Sequence, residues 1–323
     1  MADIINSYDN TDELLKQFPV ENPTPVKEGL EKNIQNRLLT GFANWNLGFD
    51  AWKEWGDILY TPDSLYNVHS VHLTLKEYQM AMFGTLRRAD IQMGAFHNMV
   101  IADDWCAIRY DIATTPRSGG KTMPGTVMEF VNFKDYGPEL GTRVVEGWAG
   151  TRGADYSALQ HLQNEQEQAA QKDLETKVLT FVTPDVVDLS IKYPVVHPTS
   201  IEGVNGKAIQ AAVLGAFDLY NQGPDKWSGS ISEALTENFT AHFDDRDEDV
   251  QTYIANTKKE TSEKKTKRLY FDSMLIRGDW AAIHYHTVSL NLADGTRVPG
   301  ERMQFIRFEQ KNGKALAAEM WTK

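Results

Sequence analysis

The chain has 323 residues and a formal net charge of −12, with 41% hydrophobic and 24% charged residues, an ordinary composition for a globular protein. The acidic balance and the lack of a basic stripe argue against a nucleic-acid or anionic-membrane partner. No run approaches the roughly 18 apolar residues of a membrane helix, Met1-Ala2-Asp3 opens no basic leader, and the single cysteine, Cys106, has no internal partner, so the sequence reads as that of a cytoplasmic protein.

An extended arm comes first, held out of helix by the X-Pro steps at Phe18-Pro19, Asn22-Pro23 and Thr24-Pro25. Leu30, Ile34, Leu38, Phe42 and Trp45 then recur at three- and four-residue steps and predict a helix with one buried face. Asn46-Leu47-Gly48 ends it, glycine being the natural stop. A short helix with Trp52, a strand over Leu65–Val71 and a third helix with Leu75, Tyr78 and Met82 follow. Met93–Ile101 and Asp104–Ala113 read as a hairpin across Ala102-Asp103, with further strands over Thr126–Phe133 and Val144–Ala149. Asp155–Lys177, rich in Gln, Glu, Ala and Lys, reads as a polar connecting helix.

Beyond the linker the same order returns, 175 positions on and almost without gaps. Tyr193-Pro194 and His197-Pro198 form a second arm; Ile209, Val213, Phe217 and Tyr220 form a second stripe; Asn221-Gln222-Gly223 ends it, and Trp227 follows. Predicted strands cover Asn238–Phe243, Leu269–Ile276, Trp280–Leu290, Arg302–Phe308 and Leu316–Thr322, with a third helix carrying Val250, Tyr253 and Thr257. Glu260–Lys267 reads as a solvated charged loop. A period of this length is domain-sized. It predicts two tandem α+β domains, 10–150 and 185–323, joined by 151–184, each with three helices against a curled antiparallel sheet and together forming a pseudo-dimer. The arms at 10–28 and 185–203 are expected to wrap the other repeat or to cover a cavity mouth.

Pro62-Asp63-Ser64-Leu65-Tyr66-Asn67-Val68-His69, the Asp-Trp hairpins with Ala107-Ile108-Arg109-Tyr110, the glycine-to-Pro-Gly approaches at 120–125 and 295–300, and the closing Val144-Val145-Glu146-Gly147-Trp148 together resemble the SnoaL-like proteins of the nuclear-transport-factor-like and ketosteroid-isomerase-like superfamily. The resemblance covers most of both repeats. It implies cystatin-like cones in which helices close one end of a curved sheet around an apolar cavity. It also implies cofactor-independent chemistry of the cyclase, isomerase or dehydratase kind on a small hydrophobic carbonyl compound, with no cofactor and no metal. Such folds serve many functions, and a non-catalytic binding pseudo-dimer is the alternative; a scaffold role for the arms is the third reading.

By that resemblance a base belongs at the end of the first strand, at His69, with His242 aligned to it in repeat 2. An acid donor on a later strand maps by strand order to Glu129, with Gln304 in repeat 2. A buried glutamic acid has a raised pKa and donates while protonated. SnoaL-type cyclases carry an aspartate after the tryptophan of the last strand; here Ala149 and Thr322 stand there, against the specific aldol-cyclase reaction. Glu146 and Glu319 alternate to the other face and read as sheet-face ion-pair residues. Trp45, Tyr110, Tyr220 and Tyr285 are expected to line the cavities, Cys106 to be a small filler opposite Ala281, and Arg109/Asp111 and His284/His286 to meet at an interface. His284-x-His286 with His242 is the one set that could coordinate a metal.

Overall fold

The computed structural model describes residues 8–68, 71–151, 188–290 and 295–323. The chain forms two compact units that divide at Gln166/Glu167. The expected connecting helix, 155–177, lies outside the described residues, as does His69.

Unit 1 runs α1 (Thr11–Gln17), β1 (Val20–Pro23), α2 (Leu30–Asn46), α3 (Phe49–Leu59), β2 (Tyr60–Val68), β3 (Val71–Thr74), α4 (Leu75–Arg88), β4 (Ala89–Ala102), β5 (Trp105–Pro116), β6 (Met123–Asp135) and β7 (Thr142–Thr151). Unit 2 runs α5 (Leu189–Lys192), β8 (Val195–Pro198), α6 (Gly203–Asn221), α7 (Pro224–Ser230), a 3-10 turn (Ile231–Ala234), β9 (Leu235–His242), β10 (Asp247–Asp249), α8 (Val250–Lys264), β11 (Lys267–Arg277), β12 (Trp280–Leu290), β13 (Arg297–Lys311) and β14 (Lys314–Thr322). Each unit builds one seven-stranded sheet, in the orders β1-β4-β5-β6-β7-β2-β3 and β8-β11-β12-β13-β14-β9-β10. The two orders are the same topology, and both units are α+β as the repeat predicts.

The helical stripes bury as expected. Ile34, Leu38, Phe42 and Trp45 enter one core with Phe96, Ile108 and Val131. Ile209, Val213, Phe217 and Tyr220 enter the other with Phe271, Ile283 and Ile306. Gly48 and Gly223 follow the long helices with φ of +110° and +108°, a region closed to side chains, so each marks the sharp break into the next helix. The third helices start on real caps: Thr74 and Glu77 form a capping box for α4, and Asp249 accepts from Thr252 N–H at the start of α8.

Several expectations are corrected. The arms become edge strands: β1 and β8 pair in parallel with β4 and β11 of their own units. Thr24 and Thr199 each donate a 2.9 Å hydrogen bond to the carbonyl of Met99 or Met274, which locks the arms down. Proline lacks an N–H but survives on an edge strand, which is why Pro-rich segments became strands. Short helices α1 and α5 precede them, and the sequence reading had neither. β2 begins at Tyr60, through Pro62, with an irregularity before Leu65; it ends at Val68, and β3, opening at Val71, pairs antiparallel with it. The first hairpin turn falls one residue later than expected, at Asp103-Asp104, and its counterpart in unit 2 lies at Gly278-Asp279. Most of the charged run from Glu260 is helix, since α8 continues to Lys264.

Candidate functional sites on the inner sheet faces

Neighbouring strands fix which side chains share the inner face. Register aligns Val68 with Ala149, Ala149 with Glu129, Glu129 with Ile108 and Ile108 with Met99. Val68, Ala149, Ile108 and Met99 all belong to the unit 1 core, so Glu129 projects inward among them. A second row on this face runs Tyr66, Gly147, Val131, Cys106. Gly147 is the floor beneath Tyr66: a Cβ there would sit 2.4 Å from Tyr66 Cε2. Only the missing side chain lets the ring lie flat against the strand.

The Tyr110 hydroxyl donates to Glu129 Oε1 at 2.6 Å, and the Tyr66 hydroxyl hydrogen bonds the same carboxyl. Burial pushes the Glu129 pKa up, and the two tyrosine donors offset only part of that rise. Burial, with the Glu129 charge second, also drives the Tyr66 hydroxyl far above its ordinary value. Glu129 nevertheless keeps some accessible surface. The wall around the group is aromatic: Tyr66 stacks on Tyr78 with centroids 4.4 Å apart, and Phe42 packs edge-on to Tyr110 at 4.6 Å. While protonated, the carboxyl presents its own proton as the two hydroxyls feed its oxygens, an arrangement suited to holding a ligand oxygen that gains charge.

Trp45 is committed elsewhere. Its indole N–H donates to the Ile91 carbonyl at 2.7 Å and its ring packs on Trp52, so it braces the helix layer. Cys106 is fully buried, as is Ala281 at the matching place, and burial pushes its thiol well up; it is a filler.

In unit 2 the row matching Glu129 contains Gln304, aligned with Ile283 and Thr322. Gln304 donates to Thr322 at 3.3 Å. A cavity of about 320 Å³ opens here, lined among others by Tyr220, Tyr253, Tyr285, Gln304, Met320 and Thr322, so three of the residues chosen from sequence meet in one place. His242 is not among them. It lies beside Trp321 in the register and stacks on that ring at 4.6 Å, while Met320 and Thr322, its neighbours on β14, line the cavity. Strand alternation therefore turns His242 to the opposite face, where its ring pairs with Asp247 at 2.8 Å.

The sequence reading missed Arg268. It reaches into this cavity, and its guanidinium carbon sits 4.1 Å from the Tyr220 ring centroid and 4.8 Å from that of Phe217. The available signal was the repeat itself: the position matching Arg268 is Met93. The repeated asparagines explain how both are placed. Asn46 brackets Met93, accepting from its N–H at 2.8 Å and donating to its carbonyl at 3.2 Å. Asn221 brackets Arg268 in the same way at 2.9 and 2.7 Å.

His284 and His286 gather with Asp272 and Glu301 of their own unit, and His242 takes no part. Ligand-type atoms of His284, His286 and Glu301 lie within 4.8 Å of one another, a spacing a metal ion could use. Burial opposes charge on His284, but the carboxylates of Asp272 at 3.3 Å and then Glu301 at 3.8 Å outweigh it, and the pKa is pushed up to about 9. In unit 1 Arg109 donates to Asn98 at 2.9 Å, and Asp111 pairs with His97 at 2.9 Å. Glu319 pairs with Arg307 at 2.9 Å, as a sheet-face residue should.

No family model matches the sequence, and no curated protein matches it significantly. Among solved structures, the chain is similar to a candidate hydroxylase from Streptomyces galilaeus, at 18% identity and a TM-score of 0.33 over 42% of this chain and 98% of that one. It is similar to a SnoaL-like protein from Jannaschia, a candidate polyketide cyclase, at 17% identity and a TM-score of 0.30 over 39% of this chain and 88% of that one. A ketosteroid isomerase-like protein from Erwinia carotovora matches at 13% identity and a TM-score of 0.31, over 39% and 97%. Each match covers about two-fifths of the chain. No helix among the described residues is long and apolar enough to cross a membrane.

Proposed function

We propose that unit 1 binds a small hydrophobic carbonyl compound, its oxygen against the Glu129 carboxyl, and promotes cofactor-independent enolisation of the kind that serves cyclisation, isomerisation or dehydration. The observation that carries this reading is the 2.6 Å Tyr110–Glu129 hydrogen bond around a carboxyl whose pKa burial raises. In such chemistry one group removes a proton beside the carbonyl while a donor holds the oxygen as it gains charge. Glu129 is the donor of this proposal, braced by Tyr66 and Tyr110. His69 is its base. That role comes from the resemblance alone, since His69 lies outside the described residues.

The second reading, a binding pocket without catalysis, is favoured by Ala149 and Thr322 at the cyclase aspartate positions.

Deuterium exchange next to the carbonyl of 2-tetralone, followed by NMR in D2O, tests both. The first reading expects exchange above the buffer rate, cut on the order of 100-fold in Glu129→Leu and in His69→Ala. Binding without exchange supports the second reading, and a chain that neither binds nor exchanges 2-tetralone overturns both.

A further inference from the structure

The unit 2 cavity is built around a cation. Arg268 is anchored through its backbone by Asn221, so its side chain has a fixed origin. Three rings surround the guanidinium, those of Tyr220, Phe217 and Tyr285, the last at 5.5 Å. Aromatic faces stabilise a cation but do not accept its in-plane N–H groups. The side-chain hydrogen bond it makes is to the Tyr253 hydroxyl, and among the described residues no carboxylate stands within ion-pair distance of it. The residue retains partial access to the cavity.

The surroundings carry the same sign. Five basic side chains and three acidic ones line the cavity, on a chain whose net charge is −12. Two of the three acids are already engaged: Glu248 accepts from Arg246 and Asn256, and Glu260 pairs with Lys264 at 3.2 Å. Arg302, register partner of Tyr285, adds its charge at the mouth. Beneath the polar space lies an apolar recess of about 60 Å³ whose lining includes Val213, Phe239 and Ile306. The two spaces share Tyr253, Arg268, Gln304 and Met320, so they adjoin at the guanidinium.

We propose that this cavity binds a small organic carboxylate, with its head on Arg268 and a short apolar end in the recess. The planar guanidinium fork matches a carboxylate in two parallel hydrogen bonds. Gln304 and Tyr285 line the same cavity and offer further neutral donors. A volume near 320 Å³ sits at the small end of the ~300–1,000 Å³ typical of small-molecule sites. Unit 1 has Met93 in place of Arg268, so the site belongs to unit 2 and stands whether or not unit 1 enolises ketones.

Calorimetric titration of the full chain with benzoate, benzamide and inorganic phosphate tests the proposal. Benzoate should bind one per chain and at least 10-fold more tightly than either neutral benzamide or phosphate, which lacks an apolar end. Arg268→Met, which installs the residue of unit 1, should weaken benzoate at least 10-fold. Tyr110→Phe should leave benzoate binding unchanged, separating this site from unit 1. Should Arg268→Met not fold, Arg268→Lys keeps the charge without the fork and should weaken benzoate several-fold. Absence of benzoate binding, equal affinity for benzamide or for phosphate, or benzoate affinity indifferent to both Arg268 variants, would each overturn it.

Discussion

The two sheets share a topology but hold opposite chemistry at matched positions. Unit 1 carries Met93, Ile112, Val127 and Glu129 where unit 2 carries Arg268, Thr287, Arg302 and Gln304, and the pairings Met93 with Ile112 and Arg268 with Thr287 show that the register is the same. One inner face is apolar around a single buried acid; the other is polar around a single caged cation. The floor differs as well. Gly147 lets Tyr66 lie down next to Glu129, whereas Met320 fills that place and borders the cavity of unit 2. A duplicated scaffold thus supports two unlike ligand chemistries because the strand ladder fixes Cα positions and leaves the inward side chains free to vary.

The sharpest way to break the comparison is to exchange floors. Gly147→Met puts a Cβ into the Tyr66 ring, a rigid group with no flexible end to move aside. We expect a loss of about 3 kcal/mol, at the upper part of the usual overpacking range, read from the denaturant midpoint. A midpoint unchanged within error would mean that Tyr66 has another place to go and is not held by the floor.

Next in size are the asparagine clamps. Asn46→Ala and Asn221→Ala each remove two hydrogen bonds to strand backbone. Each should cost about 2 kcal/mol in thermal or chemical unfolding, and the two losses should be similar because the geometry is duplicated. A large cost in one unit alone would show that the clamp is shared in form and not in energetics.

The smallest effect sharpens the assignment of Glu129. Its folded pKa is raised above the unfolded carboxylate value of 4.5. Its contribution to stability is therefore fully present below pH 4.5 and is lost as pH rises through the folded value, because only the unfolded chain ionises freely. Glu129→Gln, the residue of unit 2, removes that titration. The variant should match the parent at acidic pH and gain on it progressively towards alkaline pH. A stability difference independent of pH would place the Glu129 carboxyl in water.

Much of this was legible in the sequence because it depended on local periodicity and on self-comparison. The helical stripes, the glycine breaks and the strand order all follow from spacing, and the duplicate copy supplied a second reading of each. Strand order alone placed Glu129 and Gln304 at matching positions on the inner face. His242 failed because the repeat alignment slipped: His242 sits beside Trp321 as Asn67 sits beside Trp148, so its counterpart is Asn67 and not His69. The pairing of the arms was not legible because X-Pro steps indicate extended chain without saying what it pairs with. The run from Glu260 was dismissed as solvated, yet it is a helical edge that contributes Glu260, Glu263 and Lys264 to the cavity lining.

The sequence by itself determined that one α+β unit occurs twice, with the same helix stripes and the same asparagines, since these are properties of neighbouring residues and of a repeat. Only the tertiary structure decided that Tyr66 and Tyr110 close on Glu129, and that Arg268 stands in a ring of aromatic side chains without a carboxylate among the described residues. Those contacts join residues far apart in the chain through sheet register and side-chain direction, and neither is encoded in any single stretch of sequence.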